Sequence, residues 1–271
     1  MPREADPAEA AERIPGEERL SIRIGLMMKD WQPGRVKTRL AVSIGFEAAA
    51  ALHRLFVHHL CRSLAQTADE RTLVYAPAEA GSRLQSQLVA WRLEQNWSIT
   101  VQSDGDLGKR METWFTSVFS DVHSESPVAA IVIGADCPLL SQDDLRQAAA
   151  ALETCDIVLG PAMDGGYYLI AIRSHRVASN RSVRTQLGEL FSEIPWGTSS
   201  VLEMTRDRIG NLGWKVSMLE VREDVDTVTQ LNGLRRQLSR QVVSDESSSL
   251  VEFARNIDRV LEGATAPEIP S

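Results

Sequence analysis

The chain has 271 residues, 43% hydrophobic and 24% charged, with 37 Asp and Glu against 29 Lys and Arg for a formal charge of -8. This composition supports a core without disulfides or structural metals, and it predicts one domain of about 200 residues plus tails. The acidic balance argues against a surface that tracks nucleic acid, and Cys61, Cys137 and Cys155 are too few and too scattered for a disulfide framework or zinc cluster.

Residues 1–20, rich in Glu, Ala and Pro, read as a disordered extension, residues 21–240 as the folded domain, and residues 241–271 as a loosely ordered tail with a short helix near 249–262. The first twenty residues lack an apolar signal core, and no run reaches the ~18 residues of a membrane span, so a reducing cytoplasm is expected. Within the domain, β-branched runs alternate with helix-period segments. A strand is expected at Ile22–Met28 before a helix at Gly45–Gln66, at Thr72–Ala76 before Gly81–Arg92, and at Trp97–Val101 before Gly108–Phe119. Then come a strand at Val128–Gly134, a helix at Ser141–Leu152, strands at Asp156–Gly160 and Tyr167–Ile172, a helix near Ser200–Arg208 and a strand at Trp214–Val221. This alternation predicts a mostly parallel sheet with helices on both faces and ligands beyond the strands' carboxyl ends.

The loop after the first strand carries Lys29, Arg35, Lys37 and Arg39 within eleven residues, where the chain's average predicts about one cation. Pro33-Gly34 supplies a turn, and an extended Val36–Leu40 would place Lys37 and Arg39 on one face, a set suited to phosphate oxygens. GxxxxGK[ST] is absent and no GxGxxG follows the first strand, which disfavours an ATPase or a nicotinamide enzyme. The fourth expected strand ends in Ile131–Gly134 and runs into Asp136 before Cys137-Pro138, placing a carboxylate where ligands sit. Ser141 and Asp144 are spaced as a capping box, as are Ser200 and Glu203.

One carboxylate does not hold a divalent ion unaided, so a second is expected. Asp164, in Asp164-Gly165-Gly166, and Asp226, in Asp224-Val225-Asp226-Thr227, both qualify. The first also reads as a hairpin turn and the second as a helix cap. The loop with Asp104 and Gly105 leads into a helix whose first amides suit an anion or an acceptor hydroxyl, or it is a plain helix start. Trp196 beside Gly197 either stacks on a ring or closes the core. His53, His58 and His59 lack i, i+4 metal spacing and read as surface or partly buried residues, and Cys137 reads as a small apolar filler.

Six blocks in this order resemble one bacterial family, the arsenosugar biosynthesis glycosyltransferases: Pro33–Leu40, Gly105–Gly108, Gly134–Pro138, Gly160-Pro161 with Asp164–Tyr168, Ile194–Ser200 and Asp224–Thr227. The resemblance covers residues 21–235. It implies an α/β GT-A (nucleotide-diphospho-sugar transferase) fold, a Rossmann-like αβα sandwich on a mostly parallel mixed sheet. By that resemblance Asp136 and Asp226 are the metal carboxylates for Mg2+ or Mn2+, and Arg35, Lys37 and Arg39 hold the nucleotide phosphates. Lys29, Asp104, Gly105, Gly165, Gly166, Trp196 and Gly197 complete the expected substrate-binding set, and Asp164 is the expected catalytic base. The implied partners are a nucleoside diphosphate sugar and a small-molecule acceptor; composition adds the expectation of no nucleic acid and no membrane span. Two departures stand out. Asp30 adds a carboxylate beside the cations, expected to weaken phosphate binding, and Ala135 replaces a frequent hydroxyl residue. The segment Val36–Leu40 also resembles phospholactate guanylyltransferases, so nucleotidyl transfer to a phosphomonoester is the alternative, and a non-catalytic nucleotide-sugar-binding protein is the third reading.

Overall fold

The computed structural model describes residues 20–120, 127–174, 182–244 and 248–263. Strands β1 (Ser21–Lys29), β2 (Glu70–Ala76), β3 (Ser98–Val101), β4 (Val128–Gly134), β5 (Ile157–Pro161), β6 (Tyr167–Arg173) and β7 (Val216–Met218) form one sheet of order β3-β2-β1-β4-β6-β5-β7. Neighbours pair in parallel except β6, which runs antiparallel to β4 and β5. The helices are α1 (Thr38–Ile44), α2 (Phe46–Ser63), α3 (Gly81–Trp91), α4 (Leu107–Ser120), α5 (Gln142–Ala151), α6 (Val183–Phe191), α7 (Val201–Asn211), α8 (Val228–Ser244) and α9 (Ser248–Glu262). The expected α/β sandwich on a mostly parallel mixed sheet is present.

The strands feed two cores because side chains alternate across a pleated sheet. Ile24, Leu26 and Met28 of β1 join Ile131 and Ile133 of β4 on one face, while Met27 joins Val128, Ala130 and Val132 on the other. Gly25 interrupts β1 for a reason: an added Cβ would lie 2.6 Å from the Trp114 ring of α4, so the glycine lets that indole lie against the strand. A third cluster joins Leu40 of α1, Leu52 and Phe56 of α2, Leu231, Leu234 and Leu238 of α8, and Phe253 and Ile257 of α9. Part of the segment expected as a loosely ordered tail is thus the helix α9, with buried side chains on one face. Apart from Leu20, the expected N-terminal extension lies outside the described residues.

Of the two expected capping boxes, Ser141 with Asp144 forms in both directions at the start of α5. Ser200 and Glu203 form none. The Ser200 backbone is already helical, and its hydroxyl pairs with Thr198 Oγ1 at 2.9 Å.

The strand order turns at β1 and β4: β2 and β3 continue to one side of β1, and the later strands lie beyond β4. A crevice opens there past the carboxyl ends, where open α/β sheets bind ligands. Among the described residues no helix is long and apolar enough to cross a membrane.

Candidate functional site

A cleft of about 530 Å³ sits at this switch point. Its floor is built from the ends of β1 and β4, and its sides from the basic loop, the start of α4, the turn between β5 and β6, the Trp196–Val201 segment and Asp224 and Asp226.

The basic loop is not extended. Arg35 N–H donates to the Gln32 carbonyl at 3.0 Å, closing a turn with Pro33 and Gly34 at its centre, and Gly34 supplies the positive φ of 77° that this turn requires. Lys37 then adopts a left-handed conformation, φ 48° and ψ 41°, and α1 begins at Thr38. The expected shared face of Lys37 and Arg39 is therefore lost. Lys37 points inward and is buried, while Lys29, Arg35 and Arg39 are exposed along the cleft rim. Asp30 also departs from expectation: it is buried, pairs with Arg83 of α3 and does not line the cleft, so it leaves the rim cations undisturbed.

Lys37 Nζ contacts Asp136 Oδ1 and donates to Asp226 Oδ1 at 3.0 Å and to the Val225 carbonyl at 2.7 Å. Its side chain is 2% exposed, against 47% and 39% for Asp136 and Asp226. A backbone bond fixes this cluster, with Val225 N–H donating to the Asp136 carbonyl at 2.9 Å, and on the same segment Arg222 holds Asp144 through Nη2 at 2.6 and 2.8 Å. Asp226 is not the cap of α8. Thr227 and Gln230 take that role, with Gln230 N–H donating to Thr227 Oγ1 and Thr227 N–H to Gln230 Oε1, which leaves the Asp226 carboxylate for Lys37.

Burial alone would lower the Lys37 ammonium, but Asp136 and Asp226 outweigh it and hold it above its usual value. Burial would likewise raise Asp136, but the Lys37 ammonium holds that carboxyl below the usual range. Asp224, on the same wall, is pushed up to about 7 by burial and then by the negative charges of Asp136, Asp164 and Asp226. His53 is lowered, chiefly by burial, so its ring is neutral. Its Nε2 faces the Lys29 carbonyl at 2.9 Å and must carry the proton. Nδ1 is then an acceptor, buried and unpartnered, 4.0 Å from Asp136 Oδ1.

These features fit a divalent cation of the Mg2+ or Mn2+ class. The donors are hard carboxylate oxygens open to the cleft, an ammonium already stands among them, and the unpartnered His53 Nδ1 lies 4.0 Å from an Asp136 oxygen. Two carboxylates suffice only where phosphate and water complete the coordination. Among the described residues no group of three or more His, Cys, Asp or Glu has metal-site geometry.

The opposite wall is apolar. Trp196, Tyr167, Leu107 and Val201 line it, and Trp196 packs against Tyr167 and Phe191 at centroid distances of 6.4 Å each. Gly108 makes room for the indole: a Cβ there would meet Trp196 Cζ2 and Nε1 at 2.7 Å and the Phe191 carbonyl at 2.8 Å. Gly108→Ala is expected to displace Trp196 and cost about 1–3 kcal/mol in urea unfolding.

Of the residues singled out in the sequence, Lys29, Arg35, Lys37, Arg39, Asp136, Asp164, Gly166, Trp196, Gly197 and Asp226 line the cleft. Asp104, Gly105 and Gly165 do not. In their loop Asp106 caps α4 by accepting from Lys109 N–H at 2.8 Å, the Gly105 carbonyl accepts from Arg110 Nε at 3.0 Å, and Leu107 and Arg110 reach the wall instead. Gly165 serves packing against Ser199. Asp164 forms the expected hairpin turn, with Oδ1 accepting from Gly166 N–H at 2.9 Å, yet it also faces the cleft. Sequence reasoning missed His53, Asp224, Gln102 and Arg110 as wall residues. Cys137 is buried, and desolvation pushes its thiol up to about 12, so it is filler as expected.

Residues 60–198 match a family described as "Uncharacterized protein conserved in bacteria (DUF2064)". A candidate nucleotide-diphospho-sugar transferase from Desulfovibrio desulfuricans G20 is similar, with 30% identity and a TM-score of 0.74 over 90% of this chain and 98% of that one. CMP:2-keto-3-deoxy-manno-octonic acid synthetase complexed with CTP is 12% identical at a TM-score of 0.50, over 82% of this chain and 99% of that one. The 4-diphosphocytidyl-2C-methyl-D-erythritol synthase of Anaerococcus prevotii DSM 20548 is also 12% identical at 0.50, over 89% and 99%. The last two share the fold alone. No curated protein matches the chain.

Proposed function

The chain belongs to this bacterial family, DUF2064, and on that premise we propose that it is a metal-dependent glycosyltransferase taking a nucleoside diphosphate sugar as donor and a small-molecule hydroxyl as acceptor. One observation carries the reading: Asp136 and Asp226 converge on one point in a cleft also lined by Lys29, Arg35, Arg39 and Arg110. A divalent cation bound there neutralises the charge that grows on a leaving diphosphate. Asp136 and Asp226 would hold it. The rim cations bind phosphate oxygens, the arginines as bidentate forks. Trp196 offers a ring face for a base or sugar. Asp164, with Oδ1 held by Gly166, has a second oxygen to accept the acceptor's proton. The resemblance to arsenosugar biosynthesis glycosyltransferases rests on sequence blocks and names no acceptor for this chain. A reducing cytoplasm suits its three free cysteines.

The rim also supports a second reading. Four cations besides Lys37 line the cleft, enough for a triphosphate as well as a diphosphate, which is what nucleotidyl transfer to a phosphomonoester would need. Product analysis separates the two. With Mn2+, and with water as surrogate acceptor taking the glycosyl group, a nucleoside diphosphate sugar is expected to yield free nucleoside diphosphate and free sugar, and nucleoside triphosphates to yield no pyrophosphate. Pyrophosphate release from one triphosphate, with no turnover of any nucleotide sugar, would replace glycosyl transfer by nucleotidyl transfer.

A further inference from the structure

Lys37 stands in the cationic loop, yet it has no donor left for a phosphate. An ammonium carries three N–H groups. Nζ meets three acceptors, Asp136 Oδ1, Asp226 Oδ1 and the Val225 carbonyl, the last two at 3.0 and 2.7 Å. The lysine is also the least exposed member of the cluster, at 2% for its side chain, so its ammonium lies beneath the two carboxylates at the base of the cleft. Resting on the metal-dependent reading above, we propose that Lys37 is a tethered cation that stands in for the divalent ion, holding Asp136 and Asp226 together in the metal-free protein and competing with the ion for their oxygens.

The chemistry of the cluster requires some cation. Two carboxylates converging on one point repel, and a positive charge between them offsets that repulsion. With Lys37 between them both carboxylates are held facing one point. The same charge has a second effect: the Lys37-Asp136-Asp226 set carries one net negative charge rather than two, and an incoming divalent ion meets a fixed positive charge at close range. Three features keep the ammonium there. The Pro33-Gly34 turn and the left-handed Lys37 backbone aim the side chain inward, and the Val225 carbonyl anchors it independently of either carboxylate. His53 Nδ1, an acceptor without a partner beside Asp136, is the remaining group that would gain from a second cation. The metal alone therefore binds weakly, and the donor's phosphates must bring the negative charge that Lys37 has cancelled. Metal and donor then load together.

The test is Mn2+ affinity of the full chain without nucleotide, read as the free-ion signal in electron paramagnetic resonance, with circular dichroism to verify the fold. Lys37→Met, which keeps length and removes charge, is expected to bind Mn2+ at least about ten-fold tighter than the wild type, the direction that removing a nearby positive charge dictates. Lys37→Arg, which keeps the charge, should stay close to the wild type, and Asp136→Asn should abolish binding in either background. Mn2+ binding no tighter in Lys37→Met than in the wild type, or equally tightened in Lys37→Arg, would overturn the competition while leaving the metal site standing. Failure of both wild type and Lys37→Met to bind Mn2+ at millimolar concentration would overturn the metal-dependent reading as well.

Discussion

Asp136→Asn is expected to lower turnover by about 10²–10³, the usual effect of removing one group that stabilises developing charge, while the protein stays folded. The fold should survive because an asparagine oxygen still accepts from Lys37, whose other partners, Asp226 and the Val225 carbonyl, are untouched. The backbone bond from Val225 N–H to the residue 136 carbonyl also remains. Only the carboxylate charge is removed. Steady-state kinetics at saturating donor and Mn2+ check this, and full activity in a folded Asp136→Asn would remove Asp136 from the metal site.

Gly165→Ala is expected to destabilise the fold by about 3 kcal/mol, because backbone strain and overpacking add at this position. Gly165 has a φ of +90°, and a Cβ there would lie 2.1 Å from the Ser199 carbonyl oxygen and 2.6 Å from its Cα. Those are backbone atoms and have no rotamer to yield. The Gly165 carbonyl also accepts from Leu202 N–H at 2.9 Å, so the β5–β6 turn and the start of α7 are locked together through this residue. Parting them would move Thr198 and Val201, both on the cleft wall, so activity should fall with stability. For a chain of this size the loss corresponds to a melting shift of about 6–12 °C. Gly166 is the internal comparison. Its Cβ would first meet Asp164 Oδ1 at 3.3 Å, a movable side-chain atom, so Gly166→Ala should cost less than about 1 kcal/mol. Equal losses at the two positions in chemical denaturation would contradict the packing argument.

Much of the fold was legible because it is written in short-range pattern. Ile22–Met28 and Val128–Gly134 are apolar runs of strand length, and the helical segments between them force parallel pairing. The antiparallel β6 follows from the Asp164-Gly165-Gly166 turn. Helix α6 was missed although buried Leu187, Leu190 and Phe191 are spaced as a helix face, while α8 was foreseen only as a helix that Asp226 might cap. Helix α1, at seven residues, is too short to show a period, and the charges at its start masked it.

The site was legible as a set of residues but not as a geometry. The cations, Asp136 and Asp226 were read from their places after strands. The cap at α8 was also visible in principle, since Thr227 and Gln230 have capping-box spacing, and noticing it would have freed Asp226 earlier. Lys37 was misread because nothing local says that its side chain turns inward to partners 99 and 189 residues away. His53 was equally hidden: a lone histidine on an amphipathic helix carries no sign that its ring ends between the Lys29 carbonyl and Asp136. Both depend on how α1 and α2 pack across the sheet ends, which is tertiary information.

The most direct measurement is a thermal-shift panel of UDP-, GDP-, CDP- and dTDP-sugars and the four nucleoside triphosphates, each with and without Mn2+ or Mg2+. A ligand at a hundred times its dissociation constant adds about 2.7 kcal/mol, a shift of roughly 5–10 °C here. The account predicts a shift of that size from one nucleotide sugar, dependent on the metal and larger than that of the matching triphosphate. Stabilisation by no nucleotide sugar, or by one to the same extent without metal, would contradict it.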